Sequence, residues 1–358
     1  MLKKKIREAK VITISPSGNL YGSENVLFDY LLTTKLNHIV FVPKNSQFQQ
    51  KLQNQNWDHH IIGFNPKSLE FFYAFLFLFI LSKQITSVYI NEGGHYKWIK
   101  WMAMILPKTK FTVHLRMVYD ARIDRIGQKI PKNIRLLAIS HYVAEELKNN
   151  EIEVEVVYDG FINNITSYKF PISGKKIKVG IIGRISVTKG IHKFYELIDE
   201  LKKRKQFHLF EFHFYGSNHL SKGDSDFFFT LLKDNPSIHF HDFQTPETVF
   251  KSIDLVIHFN KEEGLGRIFL ESIANGLPFI GYNTSGISEV GEILGLQHFL
   301  IEGYQKDDTE ELTKLLVSVA KNLISIQESI YLSQKKLSNF DIYVYVKKLD
   351  LNLLKSVI

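Results

Sequence analysis

A unit that occurs twice restricts the fold more than any other feature. The strand-like run VITIS after Lys10 leads into a loop with Gly18 and Gly22 and then a helix near Asn25. The run VGIIG after Lys178 leads likewise to Gly183, Gly190 and a helix near Ile191. Strand, glycine loop and helix in that order open a Rossmann-like domain, so the repeat predicts two of them. Apolar strand-like runs alternate with helical patterns through the rest of the chain, as parallel α/β layers require. At 358 residues the chain exceeds what one hydrophobic core sustains, and 44% hydrophobic residues suffice to fill two. The join falls near 163–175, where NNITSYKFPISGKK is polar, contains Pro171 and Gly174 and lacks periodicity. The expected division is 1–165, 166–335 and a terminal helix at 336–358. Ligands of open α/β sheets bind at the carboxyl ends of the strands, so two such domains facing one another across a cleft would hold the site there.

Residues 261–290, KEEGLGRIFLESIANGLPFIGYNTSGISEV, carry the chemistry. Glu263 and Glu271 are separated by a glycine turn that becomes a helix. Gly264 and Gly266 let backbone approach a ligand closely, and Ile268, Phe269, Leu270, Ile273 and Ala274 have helical spacing up to the stop at Gly276 and Pro278. Amides of Leu265, Gly266 and Arg267 are expected as first-turn donors for a diphosphate, aided by the helix dipole. An ionised carboxylate only accepts hydrogen bonds, so the two glutamates suit the hydroxyls of a ribose and of a hexose. The alternative, a solvated loop charge and an exposed helix residue, does not explain why glycines, helix start and spacing agree.

Arg184 and Lys189 follow the strand KVGIIG, at its carboxyl end. Cleavage of a bond between anomeric carbon and phosphate sends negative charge onto a nucleoside diphosphate, and fixed cations there lower the barrier. Arg can hold two phosphate oxygens, while Lys acts as a point charge. In any other position both would be read as surface residues.

Composition sets limits. The absence of cysteine removes disulfides, thiolate nucleophiles and cysteine-ligated zinc. A net charge of +8 favours anionic partners: nucleotides, anionic lipid or nucleic acid. No zinc-finger, RNP-like or long basic-helix pattern supports nucleic acid, so none is expected. The start, MLKKKIREAK, is basic but leads into a short strand and Pro16, Ser17 and Gly18 rather than an apolar signal core, so cytoplasmic folding is expected.

Asp224-Ser225-Asp226 has the D-x-D spacing of metal-dependent sugar transferases, but Ser225 or Asp226 is read as the N-cap of the helix that follows. His239 and His241 could offer two metal ligands, with no third nearby in sequence. No catalytic metal and no cofactor are expected. Neither G-x-G-x-x-G nor G-x-x-x-x-G-K-[ST] occurs, which removes dinucleotide oxidoreductases and P-loop enzymes.

The stretch LEFFYAFLFLFIL, 69–81, is too short to span a bilayer. It is read as a buried helix. The alternative is contact with an anionic leaflet, shared with Trp98, Trp101 and Ile105 beside Lys97 and Lys100 and with the basic Lys3, Lys4, Lys5 and Arg7.

The glutamate block resembles the E-x7-E block of the retaining glycosyltransferases of family four, which have the GT-B fold. The resemblance covers nearly the whole chain: SPSGNLYGSEN, FTVH, LAISHYVAEEL and VVYDGF in the first half, VGIIGRISVTKG and HFYG in the second, and SNFDIYVYVKKL as a last helix crossing back to the first domain. It departs at Gly22-Ser23-Glu24, where the family often has two glycines before the glutamate. It implies that Glu263 faces the donor sugar, Glu271 the ribose and Phe243 the base. Gly22 and Ser23 would border the diphosphate and acceptor, with His114 beside the reacting sugar; an ordinary turn and a satisfied polar strand end are the respective alternatives. The implied activity is retaining transfer of a hexose from a UDP- or GDP-sugar to a hydroxyl of a bacterial surface glycan, lipid-linked, such as lipopolysaccharide, capsule or exopolysaccharide. The implied place of work is the cytoplasm or the cytoplasmic face of the inner membrane. A GT-B nucleotide-sugar epimerase or hydrolase, or a non-catalytic membrane scaffold, are the alternative readings.

Overall fold

A computed structural model describes residues 10–162, 175–303 and 308–354. The expected join and Lys3, Lys4, Lys5 and Arg7 lie outside the described residues. The chain forms two compact units, one of Met1–Ile162 with Ser338–Ile358 and one of Asn163–Leu337.

The first unit holds a seven-stranded sheet in the order β3-β2-β1-β4-β5-β6-β7. Its strands are β1 Lys10–Ile14, β2 Asn37–Pro43, β3 His60–Phe64, β4 Ser87–Ile90, β5 Lys110–Leu115, β6 Ile134–Ala138 and β7 Glu155–Val156. The second holds six strands, β8 Ile177–Ile182, β9 Phe210–Tyr215, β10 Ile238–Phe240, β11 Leu255–Ile257, β12 Phe279–Tyr282 and β13 Leu300–Ile301, in the order β10-β9-β8-β11-β12-β13. Every neighbouring pair is parallel. Helices therefore cover both faces, and β4 and β11 are buried at every residue, which is why such strands read as unbroken apolar runs. In each unit the strand order reverses once, between β1 and β4 and between β8 and β11. Loops at the carboxyl ends of those pairs diverge and leave a crevice, so both units are Rossmann-like.

The last helix, Ile342–Leu354, completes the first unit. Tyr345, Val346, Leu349 and Leu353 join Val26, Leu27, Tyr30 and Leu31 of the helix Gly22–Thr33 in one core. Polar contacts fix its register. Tyr30 donates to Asp350 at 2.7 Å, Thr34 donates to the same carboxylate, and Lys110 Nζ donates to the carbonyl of Asn352.

Two local expectations are corrected. The helix expected after the D-x-D triplet is Lys222–Asp234, which takes the triplet into its first turns and is capped by Ser221, whose hydroxyl accepts from the amide of Asp224 at 3.2 Å. Its first turn is polar, so apolar spacing placed the start too late. The helix Leu69–Lys83 is buried on one face only. Phe72, Tyr73, Leu76 and Ile80 face the core, while Phe71, Phe75, Leu78 and Leu81 are exposed. An all-apolar sequence has no polar stripe to reveal which face is which. Trp101, Met104 and Ile105 of the helix Tyr96–Ile105 are exposed as well, and Phe77 meets the Trp101 ring at 6.3 Å. Trp98 instead stacks on Tyr73, and Lys100 donates to the carbonyl of Ile126. No described helix is long and apolar enough to cross a membrane.

The first unit also buries imidazole. His38 is enclosed between Thr13 and Tyr30, and burial, followed by the neighbouring His59, holds its pKa well below the ordinary 6.5. A depressed folded pKa contributes stability above the unfolded value, and that contribution is lost as pH falls. Below about pH 6.5 each such ring should cost about 1.4 kcal/mol per pH unit, because only the unfolded chain takes up the proton. The thermal midpoint should fall from pH 7 to 5, and His38→Gln should flatten that fall; an equal slope in both proteins counts against it.

Candidate active site

In the second unit Arg184, Lys189 and Glu263 gather at the strand-order reversal. After β8 the chain passes Gly183 and Arg184, makes a short turn Val187–Lys189 and enters the helix Ile191–Lys203 through Gly190. Gly190 has φ +81°, and a Cβ there would stand 2.6 Å from the Cβ of Phe259. Only glycine lets this loop lie directly on the segment after β11. Lys189 is thereby brought to Glu263. Arg184 lies exposed at the mouth of the same concavity, whose wall includes Ser186, Lys189, His258 and Phe259.

Glu263 is held from several sides. Its Oε1 accepts from Lys189 Nζ, from Asn260 Nδ2 at 2.8 Å and pairs with His258 Nε2 at 3.2 Å. Its amide donates to Ser285 Oγ at 3.1 Å, and its carbonyl accepts from the amide of Gly286 at 2.9 Å. Burial by itself would raise the carboxyl pKa. The hydrogen bond with His258 and the charge of Lys189 outweigh it and hold the group well below the usual carboxylate range. Glu263 is thus a fixed, ionised acceptor within the fold. His258, Asn260 and Ser285 escaped the sequence reading; His258 and Asn260 could have been found, since they follow β11 at its carboxyl end.

The helix after the glycine turn is Arg267–Ala274, with Gly266 as N-cap at φ +80°. Of the three residues expected in its first turn, only Arg267 lies inside it; Leu265 precedes the cap and its side chain is buried. The left-handed cap delays the start by that margin. A Cβ on Gly286 would lie 2.3 Å from the carbonyl oxygen of Gly264, so the helix Ser285–Leu294 seats its first turn directly against the glycine turn. Glu271 stands one turn along and accepts from Arg267 Nε at 2.6 Å. Phe243 is 65% exposed in the segment after β10, available to a flat ligand.

In the first unit, Gly22 and Ser23 open the helix Gly22–Thr33 just beyond β1. Ser23 Oγ donates to Glu92 and contacts Glu24 Oε2 at 3.1 Å, and Asn91 Nδ2 donates to the carbonyl of Ser23 at 3.1 Å. Glu24 also accepts from the amide of Tyr21, capping the helix. Burial, then the charge of Glu24, raises the pKa of Glu92. Behind them Arg116 is buried, donating to Asp159 at 2.6 Å and to Asn91 at 2.7 Å. This layer of Glu24, Asn91, Glu92, Arg116 and Asp159 was not foreseen, because its members are far apart in sequence. His114 is fully buried, its Nδ1 3.0 Å from the Tyr89 hydroxyl and its ring stacked on Tyr345. Burial, then Arg116, lowers its pKa. The ring is a core group that meets no solvent.

Residues 164–324 match the family described as glycosyl transferases group 1. No curated protein matches the sequence. Among solved structures, HepE of Anabaena bound to UDP-glucose is 18% identical with a TM-score of 0.76, over 96% of this chain and 99% of that one. A glycosyltransferase of Rickettsia africae is 15% identical with a TM-score of 0.73, over 97% and 99%. The lipopolysaccharide outer core galactosyltransferase WaaB is 14% identical with a TM-score of 0.66, over 96% and 98%. At these identities the likeness establishes the fold, which is GT-B, and the family match lies on the unit that carries Arg184, Lys189, Glu263 and Glu271. The second unit thus matches a glycosyltransferase family, within a chain of GT-B fold.

Proposed function

We propose that the protein transfers a hexose from a nucleoside-diphosphate sugar to a hydroxyl of a bacterial surface glycan with retention of the anomeric configuration. The observation that carries this reading is Glu263, an ionised carboxylate fixed at the strand-order reversal and paired with Lys189. Glu263 accepts from hydroxyls of the donor hexose, and Glu271, oriented by Arg267, takes those of the ribose. Backbone at Gly264, Leu265, Gly266 and Arg267 and the cations Arg184 and Lys189 meet the diphosphate, where negative charge develops as the glycosidic bond to phosphate breaks. Phe243 packs on the base. The leaving phosphate accepts the proton of the attacking hydroxyl, so no protein nucleophile is assigned, and cations of the chain supply the charge that a catalytic metal would otherwise supply. In the first unit, Gly22 and Ser23 border the acceptor and diphosphate, and His114 serves through the end of β5 rather than through its enclosed ring. UDP is the favoured nucleotide over GDP, supported by the UDP-glucose complex of HepE.

The acceptor is a lipid-linked glycan reached at the cytoplasmic face of a membrane. Support comes from the exposed Phe71, Phe75, Leu78, Leu81, Trp101 and Met104, with exposed Lys67, Lys83, Lys97 and Lys108 on the same two helices and their flanks against one exposed acid there, Glu70. Apolar groups enter the interface while lysines meet anionic headgroups.

Lys189→Ala should lower kcat by roughly 10²–10³-fold with smaller change in donor affinity, as removal of a donor to developing charge does. Glu271→Ala should instead weaken donor binding by about 10-fold or more, read as a reduced thermal shift with UDP-, GDP- and ADP-sugars. Equal, near-native activity in both variants refutes these roles, and donor consumed without a glycosylated product would turn the reading to an epimerase or hydrolase. For the membrane, the protein should sediment with vesicles of phosphatidylcholine and phosphatidylglycerol more than with phosphatidylcholine alone. Phe71→Ser with Phe75→Ser should abolish that; undiminished sedimentation of the double variant excludes this face.

A further inference from the structure

We propose that the second unit holds a divalent transition-metal site of the zinc class, formed by Glu211 and His213 of β9 and His239 of β10, apart from the sugar-transfer residues. The two strands run parallel at one edge of the sheet, with His239 opposite His213. Side chains alternate along a strand, so Phe212 and Phe214 pack against Phe194 on one face. Glu211, His213 and Tyr215 share the other with His239 and His241. One ligand atom from each of Glu211, His213 and His239 can be chosen so that all lie within 4.8 Å of one another, and His213 Nε2 is 3.8 Å from Glu211 Oε2. Atoms bound to a tetrahedral zinc stand about 3.4 Å apart, so small torsional changes close the set.

His213 makes this a site rather than a group of neighbouring polar side chains. It is 8% exposed, and its Nε2 is shut off from solvent without a hydrogen-bond partner. A buried nitrogen left so is costly. Its Nδ1 lies 2.9 Å from His241 Nε2. With the proton on Nδ1 donated to His241, the Nε2 lone pair points toward Glu211 and His239, the tautomer and bracing that a metal-bound histidine needs. Two imidazoles and one carboxylate select zinc, cobalt or nickel over magnesium and calcium, which prefer oxygen. The metal would tie the edge strand β10 to β9. The sequence suggests His239 and His241 as a pair; Glu211 and His213 come from the neighbouring strand and were invisible there, while His241 braces His213 rather than joining the set.

The test uses the full chain, stripped with chelator and titrated with CoCl2. One equivalent should bind with the visible absorption of a four- or five-coordinate ion and be displaced by ZnCl2. ZnCl2, and not MgCl2, should raise the thermal midpoint. His213→Gln and the milder His239→Gln, each checked for native circular dichroism, should weaken cobalt binding by at least about tenfold, while His60→Gln, exposed in the first unit, should not. Absence of the absorption band, or unchanged affinity in His239→Gln, overturns the assignment.

Discussion

The second unit is arranged around a charge that it must keep. An ionised carboxylate taken out of water is costly unless donors surround it, and Glu263 has Lys189, His258 and Asn260 on one oxygen and a backbone fixed by Ser285 and Gly286. To bring those donors together the loops after β8 and β11 must touch, which needs Gly190, and the turn after β11 must meet the helix after β12, which needs Gly286. The glycines, the parallel strand order and the ion pair are thus one requirement expressed at three levels. What results is a carboxylate whose position and protonation are set before any ligand arrives, the preorganisation on which electrostatic catalysis depends.

Much of this was legible in the sequence because the relevant signals are local. Strand, glycine loop and helix recur at Lys10 and Lys178, and buried parallel strands write themselves as apolar runs. Glu263 with Gly264 and Gly266 also sits within one short segment. What stayed hidden depends on neighbours across strands. The pairing of Lys189 with Glu263 follows from β11 lying next to β8, and the buried layer of Arg116, Asp159 and Glu92 needs the strands from β4 to β7 side by side. The start of Lys222–Asp234 was misplaced because capping by Ser221 leaves no apolar trace.

The helix Leu69–Lys83 shows a different limit. Hydrophobicity predicts burial only when there is polar surface for contrast, and this sequence offers almost none. Its two faces can be told apart only by where Tyr73, Leu76 and Ile80 find partners in the fold. A similar ambiguity affects His114, which closes a strand as a ligand-facing residue would, yet spends its ring on Tyr89 and Tyr345.

The return of the chain to its first unit has a consequence for synthesis. The core that surrounds Tyr30 and Leu27 is finished by Tyr345, Leu349 and Leu353, which leave the ribosome after the whole second unit. The second unit is one continuous stretch and can close on itself while the tail is still being made. The sheet of the first unit, translated before the second unit, therefore matures after it, waiting with apolar surface uncovered until the helix Ile342–Leu354 has emerged.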